Sequence, residues 1–156
     1  MGFDIGAVIA NLLLNYAAQP GWTSSETALK ERRDWLLETV IQVWEQFESR
    51  FRTLWNEHVT DHLARTPGYQ DLYLQKVLQD TIGFAGCKVI RRIISLSHVA
   101  DIDTIADPDI KEAAERLALS IGKALVLRNR ELHSIRELED IVRTATATQT
   151  KGASRI

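Results

Sequence analysis

Cysteine is nearly absent from this chain of 156 residues, and proline and glycine are scarce, at one, three and eight residues. A lone Cys87 forms no internal disulfide, so the fold must rest on its core, and a reducing, cytoplasmic setting is expected. No excess of positive charge exists either. The net charge is −2, with acids and bases spread along the chain, so no basic stripe is available to neutralise phosphates and nucleic acid is not an expected partner. No membrane partner is expected. The apolar stretch from Phe3 to Ala18 has no positive charge ahead of it, contains Asp4, Asn11 and Asn15, and is short for a span of about 20 residues. It reads as a buried core helix that needs neighbours on several sides.

No run of period-two alternation is long enough to argue for a sheet, and helical periodicity runs throughout, so the fold class is all-α. With 45% apolar residues and four Trp, the chain can bury one sizeable core. The first helix is expected over about Asp4 to Gln19, stopped by Pro20-Gly21. Thr23 to Glu26 has capping-box spacing and should open a long second helix. Along that helix Leu36, Val40, Val43, Phe47, Leu54 and His58 form an apolar stripe, widened by Trp44, Phe51 and Trp55, which fades near residues 62–64. A third helix spans about Asp71 to Ser97. Asp107-Pro108 starts a fourth, with Asp as cap and Pro at the first helical position. Ser134 to Glu137 repeats the capping-box spacing and opens a short fifth helix. The domain is expected over 1–143, with a disordered tail over 144–156 where Thr, Gln, Gly and Ser take over.

Several clusters invite a chemical reading. His58, Asp61 and His62 fall within about one helical turn, a spacing that can hold a metal, but no further ligands accompany them and a helix C-terminus accounts for the histidines. The Trp residues read as core or interface packing. Cys87 has no His or acid placed to activate it and reads as a small buried residue. The segment Gly83-Phe84-Ala85-Gly86-Cys87-Lys88-Val89-Ile90-Arg91-Arg92 is more informative. Two glycines in four helical residues cost up to about 1 kcal/mol each relative to Ala and call for a reason. Gly83, Cys87 and Arg91 share one face, on which a neighbouring backbone could approach closely and a guanidinium would be delivered at the end of the groove. On this reading Arg91 is the more buried of the two arginines.

Three stretches together resemble a known family. They are Met1-Gly2-Phe3-Asp4-Ile5-Gly6 with Asn11-Leu12 and Leu14-Asn15-Tyr16, then Phe51-Arg52-Thr53-Leu54-Trp55, then Phe84 to Arg92 followed by His98-Val99-Ala100-Asp101-Ile102. In order and spacing they resemble the C-terminal part of the S-methyl-5-thioribose kinases, from Met1 to about Ile141. The resemblance implies the helical C-terminal portion of the C-lobe of a kinase-like fold shared with aminoglycoside and choline kinases. It implies ATP-dependent phosphorylation of methylthioribose at the anomeric oxygen, in methionine salvage. It also implies that Arg91 and Arg92 line the sugar pocket and that Asp4 supports the catalytic-loop backbone. The Gly-rich loop, its lysine, the catalytic Asp and the magnesium-binding Asp-Pro-Glu of that family do not occur among these residues. Asp107-Pro108-Asp109 is no substitute, because it runs straight into an amphipathic helix. The chain is therefore expected to be a truncated piece, inactive alone and binding neither ATP nor magnesium. A small-molecule sugar is the implied partner, and association into a homo-oligomer is possible. A non-catalytic helical binding or dimerisation module is the alternative.

Overall fold

The computed structural model describes residues 1–96 and 98–153. Six α-helices account for most of it: α1 (Gly2–Ala18), α2 (Glu26–His58), α3 (Tyr69–Ile94), α4 (Ala100–Asp103), α5 (Pro108–Arg128) and α6 (Glu137–Ala153). No strand occurs among the described residues, so the architecture is all-α. No described helix is long and apolar enough to cross a membrane. The apolar α1 is instead packed against α2, α3 and α5, and its Ile9, Ala10, Leu13, Leu14 and Tyr16 are buried in the core. Large apolar side chains are exposed in its first turns, at Phe3 and Val8.

Where α1, α3 and α5 meet, backbones come close. A Cβ on Gly6 would lie 2.6 Å from the Thr81 carbonyl oxygen of α3, and one on Gly86 would lie 2.7 Å from the Gly122 carbonyl oxygen of α5. The helix-weakening glycines are thus exchanged for close approach between helices. The second half of α2 is built differently. Its buried residues, Leu36, Leu37, Val40, Ile41 and Trp44, all lie in its first nineteen positions. Beyond them Phe47, Phe51 and Trp55 form a ladder at 5.5–5.7 Å centroid spacing, and Phe51 stacks on Tyr73 of α3 at 5.8 Å. Arg52 reinforces this arm by donating to Glu48, Gln70 and Asp71.

Capping explains most helix starts. Asp107 accepts from the N–H groups of Asp109 and Ile110, as the Asp-Pro pair implies. The start of α2 differs from expectation: Ser25 is the cap, accepting from the Ala28 N–H, while Thr23 accepts from the Ser25 N–H one step earlier. α2 ends at His58, sooner than expected, and α3 begins at Tyr69 and ends at Ile94. Ser97, the expected end of α3, lies outside the described residues. The four-residue α4 had no periodic signal to announce it. At the other end, Ser134 and Glu137 do bond locally, Ser134 accepting from Arg136 N–H and Glu137 from His133 N–H, but α6 begins only at Glu137.

The expected tail from Thr144 is corrected up to Ala153, because α6 continues that far. Tertiary contacts hold this Thr-rich segment. Ala145 is buried, Thr146 Oγ1 shares a 3.1 Å hydrogen bond with Tyr16 Oη, and Gln149 donates to the Ala113 carbonyl. Residues 154–156 of the expected tail lie outside the described residues.

Candidate functional site

The buried face of α3 runs through Leu74, Val77, Leu78, Thr81, Ile82, Ala85, Gly86 and Val89. Continuing that face by three residues reaches Arg92, whereas Arg91 falls two positions after Val89 and turns outward. Arg92 is accordingly half-buried and Arg91 exposed, the reverse of the expected order. The misassignment came from choosing Gly83 over Gly86 as the contact glycine. Gly83 meets only the flexible amide of Asn129, at 2.7 Å from its Nδ2, while Gly86 meets the Gly122 backbone. Gly122 in α5 was the unused signal. Cys87 is corrected for the same reason: it shares the outward face of Arg91 and is exposed.

Arg91 borders an open cleft of about 730 Å³ whose other walls are mainly apolar, including Cys87, Ile90, Ile94, Leu96 and Val126. Near Arg91 and Arg92 stands a third cation that sequence reasoning left unassigned. Lys88, half-buried on α3, donates from Nζ to the Ala7 carbonyl of α1 at 3.2 Å. Burial, then the charges of Arg92 and Arg91, hold its pKa below the ordinary lysine value. Asp4 lies one turn before Ala7 on α1. It is exposed, and its carboxylate faces the Met1 amino group at 3.5 Å. The structure therefore brings Arg91 and Arg92 together with Lys88, and sets Asp4 on the neighbouring helix that Lys88 touches.

The remaining clusters settle into structural roles. Asp61 accepts from the N–H groups of Leu63 and Ala64, and His58 and His62 stand exposed. Trp44 is 2% exposed and donates to Glu48, while Trp22 and Trp35 are more than half exposed. The Asp107 carboxylate is occupied by the N–H groups of its own helix. No carboxylate lines the Arg91 cleft.

No family model matches the chain. Curated relatives do. The methylthioribose kinase of Yersinia enterocolitica is 43% identical over 138 residues, covering 88% of this chain and 34% of that protein. That of Cronobacter sakazakii is 46% identical over 127 residues, 81% of this chain and 32% of that protein. The chain is similar to part of a methylthioribose kinase. The methylthioribose kinase of Klebsiella pneumoniae agrees, at 42% over 138 residues. The chain spans about a third of the length of these relatives. Arg91 and Arg92 lie too far from either end to escape a match of 138 residues in 156, so the pair falls inside the region shared with methylthioribose kinases. The all-α architecture agrees with the helical C-terminal part of a kinase fold.

Proposed function

We propose that these helices supply the sugar-binding portion of a methylthioribose kinase, which transfers the ATP γ-phosphoryl group to the anomeric oxygen of methylthioribose. The observation that carries this is the 41–46% identity to methylthioribose kinases across a region that includes Arg91 and Arg92. Methionine salvage in the cytoplasm is the setting that follows. Phosphoryl transfer depends on positioning and on neutralising charge as it gathers on the transferred group. The Arg pair is suited to both tasks, since planar guanidinium groups donate to sugar hydroxyls and to developing phosphoryl charge. Asp4 on α1 supports the geometry of the catalytic backbone and takes no part in the chemistry. ATP and magnesium belong to the complete kinase and are held by residues other than these. The exposed Phe3 and Phe84, in edge-to-face contact at 5.7 Å, favour association of the chain with a further copy.

Two measurements test this. The purified chain, given ATP, magnesium and methylthioribose, is expected to show no turnover, and a rate above background would refute that part. In a complete kinase carrying these helices, Arg91→Ala and Arg92→Ala are expected to raise the barrier by about 2 to 4 kcal/mol. A surface substitution would shift stability by less than about 0.5 kcal/mol. Arg92→Ala should also lower the melting temperature, since its half-buried stem loses packing. Lys at either position should rescue poorly, because a point charge does not reproduce the guanidinium fork. Wild-type kinetics in both Ala variants would remove the pair from the sugar site.

A further inference from the structure

We propose that the cavity between the end of α1, the start of α2 and α4 binds a free α-amino acid with an apolar side chain, held as its zwitterion. This cavity, of about 510 Å³, shares no lining residue with the cleft beside Arg91, so the proposal stands apart from the assignment of the sugar site. Small-molecule sites have volumes of this order. Asn15, Gln19, Trp22, Arg32 and Asp101 contribute to its walls. They include an anion and a cation that do not pair with each other. The half-buried Asp101 carboxylate has neither a hydrogen bond nor an ion pair among the described residues. Asp34 and Asp80, the other half-buried aspartates, have Lys30 and Lys76 as partners. Arg32 has no carboxylate partner either, and its guanidinium lies over the Trp35 ring at 5.0 Å. Stacking occupies the face of the guanidinium and leaves its in-plane N–H donors for a ligand.

Gln19 adds a second observation. It is only 6% exposed, and its Nε2 donates to the Asn15 carbonyl at 3.2 Å and to Asn15 Oδ1 at 2.7 Å. These bonds fix both amides, yet Gln19 Oε1 accepts no hydrogen bond and Asn15 Nδ2 donates none among the described residues. A buried amide oxygen without a partner is costly, as is a half-buried carboxylate without a counter-charge. An α-amino acid offsets both. Its ammonium would donate to Asp101 and to Gln19 Oε1, and its carboxylate would accept from Arg32 and Asn15 Nδ2. The Trp22 ring, 58% exposed, would cover an apolar side chain. A phosphate would be repelled by Asp101, and a simple cation would leave Arg32 unused. The walls are held in place: Ile102 anchors α4 in the core, and a Cβ on Gly21 would lie 2.6 Å from Ile105 Cγ1, so the turn Gln19–Gly21 is pressed against the segment after α4.

The test is a titration of the isotope-labelled 156-residue chain with L-leucine, following the Trp22 indole N–H and the side-chain amides of Asn15 and Gln19 by NMR. Saturable movement of these signals is expected, with the Trp44 indole, bonded to Glu48, unmoved. N-acetyl-L-leucine lacks the ammonium and L-leucinamide lacks the carboxylate. Each should bind about tenfold more weakly than L-leucine, the loss of one charge-assisted contact. Asp101→Asn and Arg32→Gln should each weaken L-leucine by a similar factor. Because Asp101 bonds to nothing else in the fold, Asp101→Asn should melt as the wild type does, which separates lost binding from lost structure. Glycine keeps both charges but leaves Trp22 uncovered, so it should bind more weakly than L-leucine. If L-leucine leaves the signals unmoved, if the capped derivatives move them equally, or if Asp101→Asn binds L-leucine as the wild type does, the amino-acid site is overturned.

Discussion

The crossing of α1, α3 and α5 and the arm formed by α2 with the start of α3 solve the same packing problem in opposite ways. At the crossing, Gly6, Gly86 and Gly122 let backbones meet, and the helices around them bury Ile9, Ile82, Ala85, Ala118 and Ile121 completely. In the arm, large rings span the gap, and Phe47, Phe51, Trp55 and Tyr73 remain half-exposed. Backbone contact is intolerant of added volume, because a carbonyl cannot move without its helix. Ring contact is adaptable, because each ring has rotamer freedom and solvent on one side. The candidate site belongs to the intolerant region: Lys88, Arg91 and Arg92 follow directly on Gly86 along α3.

That contrast can be broken most sharply at Gly86. Gly86→Val would place side-chain carbon against the Gly122 carbonyl oxygen, which a Cβ alone already approaches to 2.7 Å. The expected loss is about 3 kcal/mol, the upper part of the usual range for overpacking, read by urea denaturation. Stability within about 0.5 kcal/mol of wild type, the ordinary scatter for surface sites, would show that the crossing is as adaptable as the arm.

The arm should respond less. Phe51→Ala removes the ring that touches Phe47, Trp55 and Tyr73. A fully buried Phe→Ala change costs about 3 to 5 kcal/mol, but Phe51 is only partly covered, so about 1 to 2 kcal/mol is expected. Hydrogen exchange should localise the loosening to the second half of α2 and the start of α3. Loosening that spreads to α5 would join the two regions into one cooperative unit.

The same contrast explains what could be read from the sequence. The all-α class, the stop at Pro20-Gly21 and the Asp107-Pro108 start are local signals, and each is present in the structure. The Arg pair stood out as a candidate in the sequence, but which of the two is the more buried was read the wrong way round. Gly83 and Gly86 differ by most of one turn, and only Gly122, 36 positions further along, decides between them. Lys88 was passed over because its significance lies in the Ala7 carbonyl of another helix. Residues 144–149 read as a tail because Thr, a weak helix former, recurs at every second position, while the contacts to Tyr16 and Ala113 that hold them are tertiary. The stripe Leu138, Ile141, Val142 and Ala145 was the local hint that α6 goes on.

The smallest expected effect concerns how α6 is fastened to the packed end of α2. Arg143 donates to Asp34 at 2.8 Å and to Glu139. Hydrogen bonds from Lys30 and then Arg143 hold the Asp34 carboxyl below its ordinary pKa. A carboxylate with a depressed folded-state pKa adds stability above its unfolded pKa, and that stability is lost as pH falls through the folded value. The pair is largely solvated, so Arg143→Ala should cost no more than about 1 kcal/mol at pH 7. The difference from wild type should persist down to about pH 4, near the unfolded carboxylate value, and shrink only below it, as Asp34 takes up its proton in the folded state. Salt should shrink the difference too, since the charges are exposed to screening. Arg52, fastened to Glu48 and Asp71 in the arm, provides the comparison. Its Ala variant should lose stability by a similar small amount, while its hydrogen-exchange effect stays confined to the arm. If Arg143→Ala instead destabilises equally from pH 7 down to pH 2, the contribution of Arg143 is packing of its stem against α2, and the ion pair adds nothing measurable to the fold.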